Sequence, residues 1–357
     1  MQMTFFNGQN KRARRSLAGW ATLSLFLIAL GGVFLLPTGF VIERPGQVFN
    51  VMGEINDSPV ISSSDLEVYP SESRFDITTV SLLGNREATP NWVQVLVAWA
   101  DPDQIVLPLD EVYPPNLSTA EVRAESTAQM EISQQDAIAV ALKDMGYEVP
   151  RSLYISSVLE DTPASRLLIA GDFVFEAGGE PVTTFEELRS QIQLSLGEAM
   201  SIVVMRDGEM LDLDITPEFR NDAYVIGAMI GYTYEFPANV NLQLGDVGGP
   251  SGGLIFSLGI IDALTPGSLA GDNHVAGTGT ISPSGDVGPI GGIDLKMIAA
   301  REAGATLFLA PIGNCDEVVG AIPTGLNVVA VRDLTEAKSA VERLANGQSL
   351  PALGCTN

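Results

Sequence analysis

Apolar residues are concentrated near the amino end of the chain. Residues 17–42 (LAGWATLSLFLIALGGVFLLPTGFVI) contain no charged side chain, and these 26 residues are enough to cross a hydrocarbon core of roughly 30 Å as an α-helix. A cluster of Lys and Arg at positions 11–15 precedes them, with no acidic residue upstream. The pattern predicts one transmembrane helix over 17–42, a cytoplasmic N-terminus over 1–16, and a main body outside the cytoplasm, in a single-pass protein of the cell membrane.

A cleaved signal peptide is the alternative interpretation of the same stretch. Ala29 and Gly31 would then be the small residues before a cleavage site. The apolar run continues through residues 33–36, where a cleavage region should become polar. This continuation favours a retained anchor, which makes the lipid bilayer a partner of the chain.

Residues 43–125 alternate short apolar runs with Pro, Ser and Asp. The β-branched and aromatic residues of Phe75–Val80 (FDITTV) and Trp92–Trp99 (WVQVLVAW) predict strands, and the pair Asp101–Pro102 predicts a turn. We interpret this segment as juxtamembrane and β-containing, and able to contribute strands to the domain that follows.

Residues 126–217 alternate helical and strand patterns. A helix is predicted at 131–145, a strand in LYISSVLE, a second helix after a cap at Thr183 or Thr184, and a hairpin around Asp207-Gly208. The motifs V-x-x-x-x-P-A, L-x-x-G-D and V-V-M-R-D-G occur in this order along the segment. Together they resemble the permuted PDZ domains of bacterial proteases.

The PDZ resemblance implies a site that binds the end of a polypeptide as an added strand. Leu153, Tyr154 and Ile155 are the residues expected to line its groove, with the helix after Thr184 as the opposite wall. A small β-sandwich that serves only as a spacer is the alternative.

The charge and the cysteine content restrict the partners and the cellular compartment that are plausible for this chain. The formal net charge is −25, and residues 1–45 carry +4, so the remainder carries −29. Such a surface repels phosphate backbones, which makes nucleic acid an improbable partner. The only two cysteines, Cys315 and Cys355, are predicted to form one disulfide that ties the tail (346–357) to the preceding domain, two separate thiols being the alternative.

A glycine-rich motif marks the candidate nucleophile. G-G-P-S-G-G (248–253) precedes the apolar run LIFSLGIIDAL, so Ser251 is expected at a helix N-terminus. Free N–H groups there favour developing negative charge, as an acyl-transfer nucleophile requires. Gly249, Pro250 and Gly252 are expected to shape the turn and its oxyanion hole.

Two residues are candidates for the base. The only histidine, His274, lies in a polar turn (GDNH), which is typical of an exposed loop residue. Lys296 follows G-P-I-G-G in the first turn of a predicted helix, with apolar neighbours. A helix N-terminus and desolvation both lower the pKa of a lysine, which leaves a neutral amine. Viewed in isolation, Lys296 would more often be an exposed solubilising lysine.

The order of these motifs settles the choice. From the serine the chain continues through G-T-G-T-I-x-x-x-G-x-V-x-x-I-G-G-I-x-x-K-x-x-A-A to the lysine. This series, within a match from about Tyr224 through Val331, resembles the proteolytic domain of Lon proteases, in the membrane-bound form that carries a PDZ domain. The resemblance implies that Ser251 is the nucleophile, that Lys296 is the general base, and that Thr278 hydrogen-bonds the lysine. This chain has Gly248 at a position where most ATP-dependent Lon enzymes carry an acidic residue.

The resemblance also sets the expected architecture. An α+β Lon-type proteolytic domain (218–345) is expected after the PDZ-like domain (126–217) and the transmembrane helix. The function implied is a serine endopeptidase that cleaves exported or membrane-associated polypeptides, with homo-oligomeric, hexameric rings by resemblance alone. No G-x-x-x-x-G-K-[ST] loop occurs, so ATP-driven unfolding is not expected, and neither is a cofactor or a metal.

Two other functions remain open at this stage. One is a catalytically inactive membrane-anchored scaffold that binds proteins through its PDZ groove. The other is a signal-peptidase-like Ser/Lys enzyme, for which the motif context is wrong.

Overall fold

The computed structural model describes residues 20–28, 31–32, 36–115, 117–220, 222–245 and 247–355. The chain divides into two compact units, one formed by Met1–Val140 with Val240–Asn357 and the other by Ala141–Asn239. These bounds differ from the predicted domains 43–125, 126–217 and 218–345. The segment expected to be juxtamembrane folds together with the C-terminal residues as one unit.

The described chain contains α-helices, 3-10 turns and strands, besides the helical residues 20–28 and 31–32 near its amino end. The α-helices are Trp92–Ala100 (α1), Leu109–Val112 (α2), Thr119–Asp144 (α3), Phe185–Leu194 (α4), Gly253–Leu264 (α5), Ile293–Glu302 (α6), Cys315–Val318 (α7) and Leu334–Ala345 (α8), with 3-10 turns at Pro163–Arg166, Pro250–Gly252 and Ile312–Asn314. The strands are Phe40–Asn50 (β1), Glu54–Ile55 (β2), Ser58–Pro59 (β3), Ile61–Ser63 (β4), Arg74–Leu83 (β5), Ile105–Pro108 (β6), Arg151–Val158 (β7), Phe173–Ala177 (β8), Glu180–Pro181 (β9), Met200–Arg206 (β10), Glu209–Ile215 (β11), Glu218–Arg220 (β12), Ala223–Val225 (β13), Ala228–Tyr234 (β14), Val240–Leu242 (β15), His274–Gly277 (β16), Thr280–Ile281 (β17), Val287–Gly288 (β18), Leu307–Pro311 (β19) and Asn327–Val331 (β20).

The first unit is built on a six-stranded mixed sheet. Its strand order is β20-β19-β16-β5-β1-β6, with parallel pairing from β20 to β5 and antiparallel pairing from β5 to β6. Every residue of α5 is buried, and α6 packs on β1 and β5. Because β1 and β5 come from the N-terminal segment, the sheet needs residues far outside the predicted 218–345 domain.

The expected strand at Trp92–Trp99 is wrong, because these residues form α1. Asn91 caps the helix by accepting from the Gln94 N–H, and the Gln94 side chain accepts from the Asn91 N–H in return. This capping box satisfies two backbone donors that a helix end leaves open. Capping therefore outweighs the β-propensity of the Val and Trp residues here.

The predicted transmembrane helix falls partly outside the described residues, at 17–19, 29–30 and 33–35. Residues 20–28 are helical, and their apolar side chains are exposed, for example Leu25 at 71%. No helix in the described ranges is long and apolar enough to span a membrane. The predicted end at residue 42 is wrong, since Val41 and Ile42 are buried in β1, where they pair with β6.

The second unit contains the elements expected in its sequence. Its sheet has the order β11-β10-β8-β7-β14, with β9 added to β8. The β10–β11 hairpin turns at Asp207 and Gly208, both with positive φ. Thr184 and Glu187 form a capping box at the start of α4. The predicted strand, helix and hairpin of this segment are confirmed.

Candidate active site

The loop that carries Ser251 is held against helix α3. Gly249 has a φ of +84°, which a glycine adopts readily, and its N–H donates to the Ser126 carbonyl at 2.9 Å. The Ser133 hydroxyl donates to the Pro250 carbonyl at 2.8 Å. These bonds fix the peptide unit between Gly248 and Gly249 and the one between Pro250 and Ser251. Ser251 is thereby presented in the turn that leads into α5.

The structure brings Ser251, Lys296 and Thr278 together. Lys296 Nζ lies 3.0 Å from Ser251 Oγ and 3.2 Å from Thr278 Oγ1. The Thr278 hydroxyl in turn donates to the Ser251 carbonyl at 3.1 Å. Thr278, directly after β16, and Lys296, on α6, are both buried. The three side chains form a closed hydrogen-bonded group around the serine.

Burial changes the acidity of the lysine. Desolvation lowers the pKa of Lys296 from 10.5 to about 8, while the carboxylate of Glu43 opposes this shift. Burial, and then the charge of Asp294, raise the pKa of Glu43. With a pKa near 8, about a tenth of Lys296 is neutral at pH 7. A neutral amine can accept the proton of the serine hydroxyl.

The predicted oxyanion residues have distinct roles in the structure. The N–H of Gly249 is engaged with Ser126, and Pro250 has no N–H to offer. Both residues therefore shape the turn. Ser251 and the buried Gly252 are the N–H-bearing residues beside the nucleophile.

The cavity at the serine is lined largely by residues that sequence reasoning missed. Its volume is about 270 Å³. Its walls come from β1, β5, α3 and the segments that carry Ser251 and Lys296. The lining residues are Gln47, Phe49, Ile77, Thr79, Val80, Ser81, Met130, Val247, Gly248, Ser251 and Lys296. One signal was available in the period-two alternation of β5, which places Ile77, Thr79 and Ser81 on one face. Nothing in the sequence joined β1 or Met130 to this site.

The single histidine has a different role. His274 Nε2 lies 2.5 Å from Asp76 Oδ2, and Arg74 bonds to the same buried carboxylate at 3.0 Å. Burial acts to raise the pKa of Asp76, but the bonds from His274 and Arg74 outweigh it and lower the pKa overall. The His274 side chain is 15% exposed and begins β16, so the expected exposed loop position is wrong. It takes no part in the group around Ser251.

The tail is tied to the first unit by the disulfide. Cys315 and Cys355 are bonded, and the Ala330 N–H of β20 donates to the Leu353 carbonyl at 2.8 Å. The tail thus covers an edge strand of the main sheet. Closing a loop of 40 residues removes unfolded-state entropy worth about 4 kcal/mol. Within the described residues, no group of three or more His, Cys, Asp or Glu side chains is arranged to hold a metal ion.

The predicted peptide groove at Leu153, Tyr154 and Ile155 is wrong. These residues belong to β7, which pairs with β8 on one side and with β14 on the other, so no added strand can reach it. Leu153 and Ile155 are fully buried in the core of the second unit.

A groove of this unit does lie between α4 and β14, at the edge of the sheet. Its volume is about 490 Å³, and its wall includes Phe185, Arg189 and Ile230. Gly227, with a φ of +79°, forms the turn before β14, and a Cβ there would come within 2.3 Å of Thr162.

Comparisons with known proteins agree with the geometry. Residues 245–341 match the family model of the Lon protease (S16) C-terminal proteolytic domain. The chain is 37% identical over 92 residues to the Lon protease of Helicobacter pylori strain J99 (25% of this chain, 11% of that protein) and 34% identical over 103 residues to Lon protease 2 of Bacillus subtilis (29% and 18%). It thus spans less than a fifth of the length of either relative.

One solved structure similar to this chain is the PDZ domain of an SdrC-like protein from Listeria monocytogenes. The sequences are 25% identical, the TM-score is 0.21, and the match covers 22% of this chain and 85% of that one. The family match, by contrast, contains both Ser251 and Lys296. Residues 245–341 are therefore a member of the Lon (S16) proteolytic domain family, a family of serine-type endopeptidases.

Proposed function

We propose that this chain is a serine endopeptidase that cleaves polypeptides without ATP, with Ser251 as nucleophile and Lys296 as general base. The observation that carries the proposal is the contact of 3.0 Å between Ser251 Oγ and a buried lysine whose pKa is lowered to about 8. No nucleotide-binding loop of the G-x-x-x-x-G-K-[ST] type occurs in the 357 residues.

The first chemical step follows from this contact. Neutral Lys296 accepts the hydroxyl proton of Ser251 as Oγ attacks the scissile carbonyl carbon. The tetrahedral oxyanion forms beside the N–H groups of Ser251 and Gly252. The Ser133 hydroxyl of α3 holds the peptide unit of the Ser251 N–H through the Pro250 carbonyl, and the Thr278 hydroxyl and the Gly279 N–H hold that of the Gly252 N–H through the Ser251 carbonyl. Protonated Lys296 then donates to the leaving amine, which gives an acyl-enzyme on Ser251 and releases the first product.

The second half of the reaction uses the same groups. Lys296 is neutral again and accepts a proton from water as the water attacks the acyl carbonyl. Collapse of the second intermediate returns the proton to Ser251. Thr278 positions Lys296 throughout, because its hydroxyl bridges the amine and the Ser251 carbonyl.

The substrates we propose are exported or membrane-associated polypeptides with an accessible end. The groove between α4 and β14 offers an open strand edge beside apolar side chains, which suits an extended segment added to the sheet. Assembly into homo-oligomeric rings, implied by the Lon resemblance, belongs to the same proposal and is tested by sedimentation of the purified chain.

We also propose that the apolar N-terminal segment anchors the chain in the cell membrane, with the catalytic residues outside the cytoplasm. The basic cluster at 11–15 and the exposed apolar side chains of residues 20–28 support this orientation. A disulfide suits an oxidising compartment. Resistance of the chain to carbonate extraction from membranes is the test.

The peptidase proposal is tested by turnover of casein and of a short fluorogenic peptide in the absence of nucleotide. Wild type is expected to cleave both, and Ser251→Ala and Lys296→Ala are each expected to lose at least about a thousandfold in kcat. Equal turnover by all three proteins would refute the dyad. Inactivity of all three, with peptide binding retained, would favour the scaffold function instead.

A further inference from the structure

Helix α1 is apolar on the side that faces away from its unit as well as on the side that faces the core. Val95 and Ala98 are fully buried. Val93, Leu96, Val97 and Ala100 follow the spacing i, i+3, i+4, i+7 on the opposite side, and we call these four residues the α1 outer face. The side chains of Val93, Leu96 and Val97 are 46%, 45% and 59% exposed. The helix, WVQVLVAWA, carries no charge at all.

The start of α1 is bonded to the chain that emerges from the apolar N-terminal segment. The Thr38 N–H and hydroxyl both donate to the Pro90 carbonyl, at 3.0 and 2.7 Å. Pro37 forms a β-bridge with Asn91, the cap of α1. Leu36, one residue before this bridge, is 54% exposed. An N-terminal segment held in a bilayer would therefore bring the start of α1 close to that bilayer.

Two tryptophans flank the α1 outer face. Trp92 and Trp99 lie seven residues apart, about two turns along the same side of the helix, and both pack edge-on against Phe40 with ring centroids 6.2 and 6.1 Å away. Trp99 remains 57% exposed. Tryptophan prefers the boundary between lipid headgroups and acyl chains, because its apolar ring can contact the acyl chains while its N–H reaches water.

We propose that the α1 outer face docks on the lipid bilayer, with α1 lying in the headgroup region of the leaflet that the N-terminal segment enters. This inference rests on the proposed membrane anchor and adds a second contact to it. The anchor supplies proximity, and α1 supplies apolar area. Two contacts with the bilayer restrict the rotation of the first unit about its anchor.

The chemistry of the surface points to apolar insertion rather than to charge attraction. Asp101 caps the C-terminal end of α1 and Asp103 follows it, both acidic, and the whole chain carries −25. Anionic headgroups would repel such a surface. Docking therefore works on zwitterionic phosphatidylcholine and is insensitive to salt.

The tryptophans make the test specific. The chain has three, Trp20, Trp92 and Trp99, so Trp20→Phe leaves only the two on α1. The full chain with this change is reconstituted in phosphatidylcholine vesicles that contain a lipid with a quencher near the headgroup. We expect tryptophan emission at shorter wavelength than in a lipid-free solution, and strong quenching. Adding Leu96→Gln and Val97→Gln should abolish most of both effects.

A matched control separates docking from a general loss of apolar surface. Val319 and Ile322 are also exposed in the first unit, at 57% and 38%, and lie away from α1 in the chain. Val319→Gln with Ile322→Gln should leave emission and quenching unchanged. Equal quenching in the two double variants would overturn the proposal.

The remaining outcomes distinguish docking from the anchor and from self-association. A chain that resists carbonate extraction but shows no quenching keeps the anchor and overturns docking. If carbonate extracts the chain from the vesicles, both the membrane anchor and lipid docking are overturned. Hydrolysis of a short peptide by that chain would still support the dyad. Emission that shifts with the protein-to-lipid ratio, without quenching, would assign the α1 outer face to a second copy of the chain and overturn lipid docking.

Discussion

Lys296 is buried, and in the proposed mechanism it must give up its proton before Ser251 can react. Its pKa of about 8 predicts that kcat/KM rises with pH below 8 and levels off above it. Because the carboxylate of Glu43 acts to raise this pKa, Glu43→Gln should move the rising limb to lower pH. The measurement is kcat/KM for a short peptide across about pH 6 to 10. Glu302→Gln, at an exposed position of α6, is the control and should leave the limb in place.

The same burial costs stability. The folded state binds fewer protons than the unfolded state between pH 8 and 10.5, so the cost is present in full below about 8 and disappears as the pH rises through 10.5. The lowered pKa corresponds to a destabilisation of the folded state by about 3 kcal/mol. Replacing Lys296 removes this cost but also removes its two hydrogen bonds, whose loss costs about 1 kcal/mol. Lys296→Met should therefore be inactive yet about 2 kcal/mol more stable at pH 7. Urea denaturation at pH 7 and at about pH 10 checks this, and a change that does not depend on pH would contradict it.

Thr278 is hydrogen-bonded to Lys296 and is not part of the wall of the cavity at Ser251. Thr278→Val keeps the shape of the side chain but removes both of its bonds, to the Lys296 amine and the Ser251 carbonyl. We expect kcat to fall roughly tenfold or more, with KM little changed. Thr278→Ser keeps the hydroxyl and should restore most of kcat. A loss of stability alone, with kcat unchanged, would refute the positioning role.

At the scale of elements, α3 supports the nucleophile loop. Ser133→Ala removes the donor to the Pro250 carbonyl, so the peptide unit that carries the Ser251 N–H is no longer fixed. We expect a fall in kcat of about tenfold, equal to about 1.4 kcal/mol, without a matching change in KM. Ser126→Ala is the control, because the bond from Gly249 uses the Ser126 backbone carbonyl, which the change retains. Equal effects of the two changes would contradict this role of α3.

The proximity of the candidate catalytic residues could be predicted from sequence because a motif that resembles a known family contains all of them. Ser251, Lys296 and Thr278 lie within one ordered motif, where glycines and helix starts reveal the backbone. The rest of the site depends on pairing between distant segments, such as β5 with β16, which no local pattern encodes. The prediction that Leu153, Tyr154 and Ile155 line a groove failed for the same reason, because β14, about seventy residues later in the chain, pairs with the edge of β7.

At the scale of the whole molecule, the proposed groove lies in one unit and the dyad in the other, within a single chain. Because the groove and the dyad belong to one chain, binding of a polypeptide end in the groove raises the local concentration of the rest of that polypeptide at the dyad. This effect should lower KM for long substrates and leave short peptides, which cannot engage both sites, unaffected.

A substitution of Phe185 tests whether the groove binds the substrate that the dyad cleaves. It lines the groove at the start of α4 and is 42% exposed, so Phe185→Ser should weaken capture without unfolding the unit. We expect KM for an unfolded protein substrate to rise several-fold, with kcat unchanged and with no effect on a short peptide. Leu194, at the other end of α4 and 68% exposed, is not part of the groove wall, so Leu194→Ser is the matched control. If Phe185→Ser instead lowered KM or raised kcat, an occupied groove would be restraining the dyad rather than supplying it with substrate.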